Sequence, residues 1–329
     1  MEIVAGDIGG TYSRLAWAVV EAGGERTLRH EANYLSADFA DAQALLRRFL
    51  ADAAAPVQPV RLALALPGAV RDGRARLTNL DWTLDEGEFA AAFGFAEVRF
   101  LNDFQAAAAG VAELGEDDRV TLNPVPEDPC GVRAITGAGT GLGVGFMTRD
   151  SDGSWRCHAS EGGHVDFGPA DARQARLLAD VRAHGGHVSW ERLVSGLGMN
   201  ALYRFCLVEA GQSLPAGEID GATLGTLAAG GDAAANAALD LFVELYGAWL
   251  GNLALLYRPS AGLYIAGGVS LHLADRLRSP RFLEAACAKG RMRGIVENTP
   301  IHLITNKRLG LVGALHAGLE AARHRSCQE

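Results

Sequence analysis

Residues 2–20 have the sequence EIVAGDIGGTYSRLAWAVV, and this stretch predicts a β-hairpin with glycine and threonine at its tip. Residues 2–7 have the composition of a strand, residues 8–11 that of a turn, and residues 14–20 that of a second strand. The same order recurs at residues 132–147, where a glycine-rich tip interrupts two strand-like runs. The sequence therefore predicts two similar α/β halves, each built around one Gly/Thr hairpin.

Further strands and helices alternate around the two hairpins. The predicted strands are residues 60–66, 98–101, 262–266 and 301–305. The predicted helices are residues 40–55, 104–114 and 311–323. Residues 241–257 are strongly apolar but include Glu244 and Asn252 and are too few for a membrane span, so they predict a buried helix. Small residues of the last helix are predicted to allow close packing: Gly310, Gly313 and Gly318.

The composition excludes several classes of protein. Acidic residues outnumber basic ones by 39 to 30 among 329 residues, the formal net charge is −9, and Lys and Arg form no long block. Nucleic acid is therefore not expected as a partner. With 49% apolar and 21% charged residues, the chain can bury a core and is not expected to be disordered.

The cysteines and the N-terminal residues indicate the cellular compartment in which the protein is expected. The five cysteines are scattered, odd in number and without a C-x-x-C pair, which argues against a disulfide framework or a zinc cluster. Asp7 interrupts the first apolar run, so no signal peptide is expected. The sequence thus predicts a cytoplasmic protein with reduced thiols and no membrane partner.

The glycine-rich segments narrow the kinds of phosphate site that the chain can form. The two lysines, Lys289 and Lys307, do not follow a glycine, so the P-loop motif is absent. The alternating glycines of residues 137–143 do not make the G-x-G-x-x-G motif of a dinucleotide fold. What remains is a nucleotide site of backbone N–H groups and threonine hydroxyls, with Asp7 available to a hydrated Mg²⁺. The alternative is that these glycines only form turns. The candidate phosphate contacts are Gly9, Gly10, Thr11, Gly137, Gly139 and Thr140.

Six ordered motifs together resemble those of the proteobacterial-type glucokinases, which belong to the sugar kinase and actin-like ATPase superfamily. The motifs are GDIGGT (6–11) with RLA (14–16), LNDF (101–104), GAGTGLG (137–143), EGGHVDF (161–167), ERLVSG (191–196) and IAGGV (265–269). The resemblance runs from residue 2 to about residue 313. It departs at Tyr12, because family members usually carry Asn or His after the threonine. The chain also lacks the Cys/His zinc cluster of the related repressor, open-reading-frame and kinase group, which places it outside that branch.

The resemblance implies a two-domain actin-like ATPase fold of the ribonuclease H-like kind, with a sugar-binding cleft between the domains. Residues 1–112 would form a small α/β domain, to which a C-terminal helix at residues 308–329 returns. Residues 113–307 would form a larger α/β domain. A homodimer is implied by the resemblance alone.

The resemblance also implies roles in sugar binding and catalysis. Asp103 would be the base that accepts the proton of the sugar's 6-hydroxyl, and Asn102 would bind neighbouring hydroxyls. The alternative for Asp103 is a helix N-cap, a position that aspartate often takes. Glu161 and His164 have E-x-x-H spacing, but the two glycines between them disfavour a helical metal motif and favour a loop that presents both side chains to the sugar. Glu191 would bind hydroxyls near the anomeric carbon, although it could equally be a first-turn helix residue.

Two further glycines resemble the adenosine motif of the family. Gly267 and Gly268 follow a predicted strand, and their missing side chains would let the base and ribose lie against the backbone. A simple turn at the end of the strand is the alternative. ATP would thus contact these two glycines, the two hairpin tips and, through Mg²⁺ and water, Asp7.

The function implied is an ATP-dependent glucokinase that makes glucose 6-phosphate, with Mg²⁺ and ATP as co-substrate. Three alternatives stay open at this point. The chain could phosphorylate another hexose, since the motifs specify phosphoryl transfer better than the sugar. It could be a sugar-binding regulator without turnover, or an actin-like filament protein.

Overall fold

The structure is a computed structural model, and it describes residues 1–21, 26–54, 59–77 and 80–325. The chain divides into two compact units, the first made of residues 1–115 and 306–329 and the second of residues 116–305. The boundaries expected from the sequence, after residues 112 and 307, differ from these by three and two residues. Residue 55 of one predicted helix and residues 326–329 of the last lie outside the described residues.

The first unit is built on a five-stranded sheet. Its elements before residue 115 are β1 (Glu2–Ile8), β2 (Tyr12–Val20), β3 (Arg26–Leu35), α1 (Ala42–Asp52), β4 (Arg61–Leu66), β5 (Val70–Arg71), β6 (Arg74–Leu77), β7 (Trp82–Asp85), α2 (Glu86–Phe93), β8 (Glu97–Asn102) and α3 (Asp103–Val111). The strand order in the sheet is β3-β2-β1-β4-β8. β1 and β2 pair antiparallel down to Ile8 and Ser13, which confirms the first predicted hairpin. β4 and β8 continue the sheet parallel to β1.

Strand β4 shows why the middle of this sheet is buried on both faces. Leu62 and Leu64 belong to one apolar cluster, whereas Ala63 packs in a second cluster with Ile3. Successive side chains of a strand point to opposite faces, so the run RLALAL puts leucine on one face and alanine on the other. The small alanine face leaves room for a helix to approach.

The second unit repeats this arrangement. Its elements are β9 (Arg119–Asn123), β10 (Arg133–Ala138), β11 (Leu142–Arg149), β12 (Trp155–Ser160), α4 (Ala172–Gly185), α5 (Gly198–Glu209), α6 (Gly221–Ala229), α7 (Ala233–Tyr257), β13 (Leu263–Ala266), α8 (Gly268–His272), α9 (Ala274–Leu277), α10 (Pro280–Cys287), α11 (Arg293–Glu297) and β14 (Ile301–Ile304). Strands β12, β11, β10, β13 and β14 follow one another with the same sequence of antiparallel and parallel pairs as β3, β2, β1, β4 and β8. The predicted pair of α/β halves is therefore present in the strand topology.

Helix α7 is the long apolar helix of the second unit. By length and composition it could cross a membrane, but 67% of its most apolar window is buried inside the structure. Tyr246 and Trp249 are fully buried in the apolar core that α7 shares with α5 and α10. The predicted buried helix is thus observed, and it begins at Ala233 rather than at residue 241.

The C-terminal helix α12 (Leu309–Arg325) belongs to the first unit and packs on α3, β1 and β4. Its contact with α3 depends on glycine, because a Cβ on Gly313 would overlap the carbonyl oxygen of Ala106. Gly318 lies against Ile3 and Ala63 in the same way. The packing role predicted for these two glycines is observed, whereas Gly310 instead faces a carboxylate described below.

Gly313→Ala is expected to lower the free energy of unfolding by about 1 to 3 kcal/mol, although alanine is the better helix former. The cost arises because the added methyl group would push α12 away from the backbone of α3. Urea denaturation measures it. The matched control is Gly225→Ala in α6, where a Cβ meets nothing within 4 Å, and it should leave stability unchanged or raise it by up to about 1 kcal/mol. Equal urea midpoints for Gly313→Ala and the wild type would contradict this role.

Candidate active site

In the first unit, the candidate residues lie where parallel strands end. β1 ends just after Asp7, β4 ends before Pro67 and Gly68, and β8 ends at Asn102. Because these three strands are neighbours and parallel, their carboxyl ends share one edge of the sheet. Ligands of open α/β sheets bind at this edge.

Asn102 is the N-cap of α3. Its Oδ1 accepts the Phe104 N–H at 2.9 Å, and its own N–H donates to Oε1 of Gln105 at 3.1 Å, which completes a capping box. Its Nδ2 also donates to the carbonyl of Gly68 at 2.8 Å. The amide group is thereby fixed at the edge of the sheet.

Asp103 is the first residue of α3 and not its cap, so the alternative interpretation of this aspartate as the N-cap is wrong. Its Oδ1 accepts the Phe104 N–H at 2.9 Å, and the side chain is half-buried. A carboxylate at this position lies in the favourable field of the helix N-terminus. Since Asn102 already caps the helix, a structural need for a cap does not account for Asp103.

Asp7 lies opposite Arg14 in the β1–β2 pairing. Burial raises the pKa of Asp7 above its usual range, and the nearby Arg14 guanidinium opposes that shift. Gly310, in the first turn of α12, leaves space for this carboxylate, because a Cβ there would lie 2.5 Å from Oδ2 of Asp7. The structure thus keeps an acidic group at the sheet edge in a place that disfavours its charge.

Two buried serines that the sequence motifs do not include hold the tip of the first hairpin. Ser36 Oγ donates to the carbonyl of Gly9 at 2.7 Å and lies 2.9 Å from Ser13 Oγ. The Gly9 N–H donates to the Tyr12 carbonyl at 3.0 Å and closes the turn. Thr11 and Tyr12 are exposed. No pattern in the sequence indicated Ser36, because it lies beyond the hairpin in a short 3-10 helix.

In the second unit, the three residues predicted to bind sugar lie together. His164 Nε2 is 3.9 Å from Oε2 of Glu161, and His164 Nδ1 is 3.6 Å from Oε1 of Glu191. The predicted loop contains one short 3-10 turn, Gly162–His164, directly after Glu161. We refer to Glu161, His164 and Glu191 as the polar triad.

Glu191 also connects the polar triad to the second hairpin. Its Oε2 accepts the Leu142 N–H at 2.9 Å, and its backbone N–H donates to the carbonyl of Gly163 at 2.9 Å. A Cβ on Gly141 would lie 2.5 Å from Oε2 of Glu191, so that glycine leaves room for the carboxylate. The first-turn helix interpretation of Glu191 is wrong, since no helix begins there.

The glycines predicted to contact ATP in the second unit fall into two groups. Gly137 and Gly267 are constrained by packing: a Cβ on Gly137 would lie 2.7 Å from the carbonyl oxygen of Ala266, and Gly267 has a φ of +93°. Gly139 and Gly268 have no atom within 4 Å of an added Cβ. Only these two therefore leave space for a ligand beside the backbone.

A cavity of about 740 Å³ opens beside Glu191 within the second unit. Residues around it include Asp180, His184, Arg192, Leu197, Asn200 and Arg204. Its size is typical of a small-molecule site. Asn200 and Arg204 carried no signal in the sequence, because they lie on α5 outside every quoted motif.

The glucokinase family model matches residues 4–321. The chain belongs to the glucokinase family. Every residue proposed here for sugar or nucleotide lies inside the range that the glucokinase model covers.

Individual relatives agree with this glucokinase membership. A glucokinase of Nostoc sp. is 35% identical over 337 aligned residues, which cover 95% of this chain and 97% of that relative. A glucokinase of Saccharophagus degradans is 34% identical, and the alignment covers 94% of this chain and 96% of that relative. The solved glucokinase from an Antarctic psychrotroph has a TM-score of 0.87 at 32% identity, with 97% of this chain and 99% of that chain aligned. The predicted α/β fold of the sugar kinase and actin-like ATPase superfamily is confirmed.

Proposed function

We propose that the protein is an ATP-dependent glucokinase, which transfers the γ-phosphoryl group of ATP to the 6-hydroxyl of glucose and so supplies glycolysis. One observation carries the proposal: the glucokinase family model matches residues 4–321, so that all the motifs used here lie within the match. The geometry adds a carboxylate at a strand end, a polar triad and open hairpin glycines, which are the parts that sugar phosphorylation requires.

Asp103 acts as the general base in this proposal. Its carboxylate takes the proton of the 6-hydroxyl while the hydroxyl oxygen forms a bond to the γ-phosphorus. The bond between that phosphorus and the β,γ-bridging oxygen breaks, and ADP leaves with its electron pair. Asn102 is held by Phe104, Gln105 and Gly68, so it can offer its remaining N–H and lone pair to sugar hydroxyls in one fixed orientation.

The polar triad binds the other hydroxyls of glucose. A sugar hydroxyl both donates and accepts, and the triad supplies two carboxylate acceptors around an imidazole. Glu191 is fixed by the Leu142 N–H, whereas Glu161 and His164 are exposed and can adjust to the sugar.

ATP binds to the hairpin tips and the adenosine motif. The backbone N–H groups of Gly10, Thr11 and Thr140 would hold phosphate oxygens. Those of Gly9 and Gly139 already donate to the carbonyls of Tyr12 and Gly141, at 3.0 and 2.9 Å, so these two glycines would shape the turns instead. Gly268 leaves open space for the base or ribose. Gly137 and Gly267 would contribute by shaping the backbone rather than by direct contact, since packing occupies the space beside them.

The residues fit a Mg²⁺ ion that travels with ATP. Among the described residues no group of three or more His, Cys, Asp or Glu side chains could hold a metal. Mg²⁺ commonly keeps its waters and binds through one carboxylate and substrate phosphates, and Asp7 provides such a carboxylate. When bound, the ion would neutralise phosphate charge in the transition state.

We also propose that the enzyme acts in the cytoplasm as a homodimer, without nucleic acid or membrane partners. The net charge of −9 disfavours binding to polyanions. Burial of α7 in the core of its unit favours a core helix over a membrane span.

A coupled assay of purified protein tests the function. Glucose and MgATP should give glucose 6-phosphate, and mannose, fructose and amino sugars should be poorer substrates. A preference for another hexose would support the first alternative. Glucose binding without turnover would indicate a regulator, and ATP-dependent sedimentation would indicate a filament protein.

Glu161→Ala and His164→Ala should each weaken glucose binding by about 5- to 150-fold, because each loses a hydrogen-bond partner worth about 1 to 3 kcal/mol. Their side chains are 79% and 60% exposed, so the free energy of unfolding should not change. Titration of glucose followed by tryptophan fluorescence measures the affinity. The control is Glu284→Ala, an exposed glutamate on α10. Unchanged affinity in both variants would place the sugar elsewhere.

A further inference from the structure

A directed chain of hydrogen bonds lies beneath the second hairpin. The Ala138 N–H donates to the hydroxyl of Tyr246 at 3.3 Å, the Tyr246 hydroxyl lies 3.0 Å from Ser270 Oγ, and Ser270 Oγ donates to the carbonyl of Ala266 at 2.8 Å. Because Ser270 gives its proton to Ala266, the Tyr246 hydroxyl must donate to Ser270. Each donor therefore has one acceptor, and the hydrogen bonds all run in one direction, from the Ala138 N–H to the Ala266 carbonyl.

The two ends of this chain are the two glycine motifs of the second unit. Ala138 directly precedes Gly139 and Thr140, and Ser270 lies in the first turn of α8, two residues after Gly268. The carbonyl of Ala138 lies so close to Gly267 that a Cβ there would overlap it. The Ala138 peptide is thus held on one side by Gly267 and on the other by Tyr246.

Packing does not require the hydroxyl of Tyr246. Its ring lies edge-on to Phe242 and Phe282, with centroids 5.8 and 6.2 Å away, and a phenylalanine ring could make both contacts. Tyr246 and Ser270 are both fully buried. Burying a hydroxyl costs free energy unless it is hydrogen-bonded. Burial also raises the pKa of Tyr246 to about 12, so the group stays protonated and able to donate.

The same helix face supports the hairpin at a second point. Trp249, three residues after Tyr246 on α7, donates from Nε1 to Thr136 Oγ1 at 3.1 Å, and Thr136 Oγ1 donates to the carbonyl of Gly143 at 2.8 Å. Residues three apart on a helix share a face. Helix α7 therefore fixes the backbone of the hairpin on both strands that lead to its tip.

We propose that Tyr246 is a positioning residue for ATP: its hydroxyl sets the backbone of the Gly139–Thr140 tip relative to the Gly267–Gly268 motif, so that both can contact one nucleotide. The inference rests on the proposed function, because it requires ATP at these two motifs. A phosphate site made of backbone N–H groups depends on peptide orientation, since it has no long side chain that could adapt.

The test compares Tyr246→Phe with the wild type. We expect the KM for MgATP to rise about tenfold, while the Kd for glucose from tryptophan fluorescence changes by less than about twofold. Ser270→Ala should raise the KM for MgATP in the same direction. The double variant should be little worse than Tyr246→Phe alone, because either change breaks the same chain.

Tyr203→Phe is the matched control. Tyr203 is a buried tyrosine of the same core, but it lies on α5 and takes no part in this chain of hydrogen bonds. It should leave the KM for MgATP unchanged. A lower melting temperature of Tyr246→Phe with an unchanged KM for MgATP would overturn the proposal and leave a structural role. An equal rise in the Kd for glucose and the KM for MgATP would also overturn the proposal, because it would indicate a general loss of structure in the unit. Wild-type turnover of glucose and ATP is measured first, so that a failure of the proposed function is seen separately.

Discussion

Asp103→Asn is expected to lower kcat by about 10²- to 10⁴-fold, the usual contribution of a general base, while glucose still binds. The amide is nearly the same shape as the carboxylate but cannot accept the proton of the 6-hydroxyl. Helix α3 should persist, because its cap is Asn102 and not Asp103. The loss should therefore appear in kcat and not in the free energy of unfolding.

The coupled assay gives kcat for Asp103→Asn, and tryptophan fluorescence gives its Kd for glucose. The matched control is Asp171→Asn, which changes a carboxylate to an amide at the start of α4, where Asn can still cap the helix. That control should keep its kcat. A near-normal kcat in Asp103→Asn would remove Asp103 as the base and leave it as a residue at the start of a helix.

Local chemistry made part of the fold predictable. The Gly/Thr tips between strand-like runs identified both hairpins, because turn geometry is encoded in a few adjacent residues. Strand β3 was missed, since most of its residues are exposed and it pairs only with β2. Strand β9 pairs with β14, far along the chain, and its short run shows no pattern of its own.

The candidate site also has features that the sequence indicates and features that depend on residues elsewhere in the chain. The sequence places Asn102 and Asp103 at the end of a strand. Which of them caps the helix depends on two further groups that hold Asn102, the side chain of Gln105 and the carbonyl of Gly68. The glycines of the second hairpin look alike in sequence. Their separation into packed Gly137 and open Gly139 depends on the neighbouring strand β13, which is distant in the chain.

Asp7→Asn is expected to lower kcat/KM for MgATP by about 10²- to 10³-fold, because it removes a charge that would act on the phosphates through Mg²⁺ and its waters. Glucose affinity should not change. The same variant should be at least as stable as the wild type at neutral pH. Burial raises the pKa of Asp7, which means that its charged form is disfavoured in the folded protein.

The sign of this stability effect follows from proton binding. The unfolded carboxyl loses its proton near its usual pKa of 3.8, whereas the folded one keeps it to higher pH. The wild type therefore loses stability as the pH rises from that value through the folded pKa, and Asn, which does not titrate, avoids the loss. Urea denaturation of both proteins from pH 4 to pH 8 should show that the free energy of unfolding of the variant increases relative to that of the wild type as the pH rises. A variant that is less stable at pH 8 and normal in kcat/KM would make Asp7 a structural partner of Arg14, while lower activity with equal or higher stability would identify a carboxylate that is kept for its chemistry.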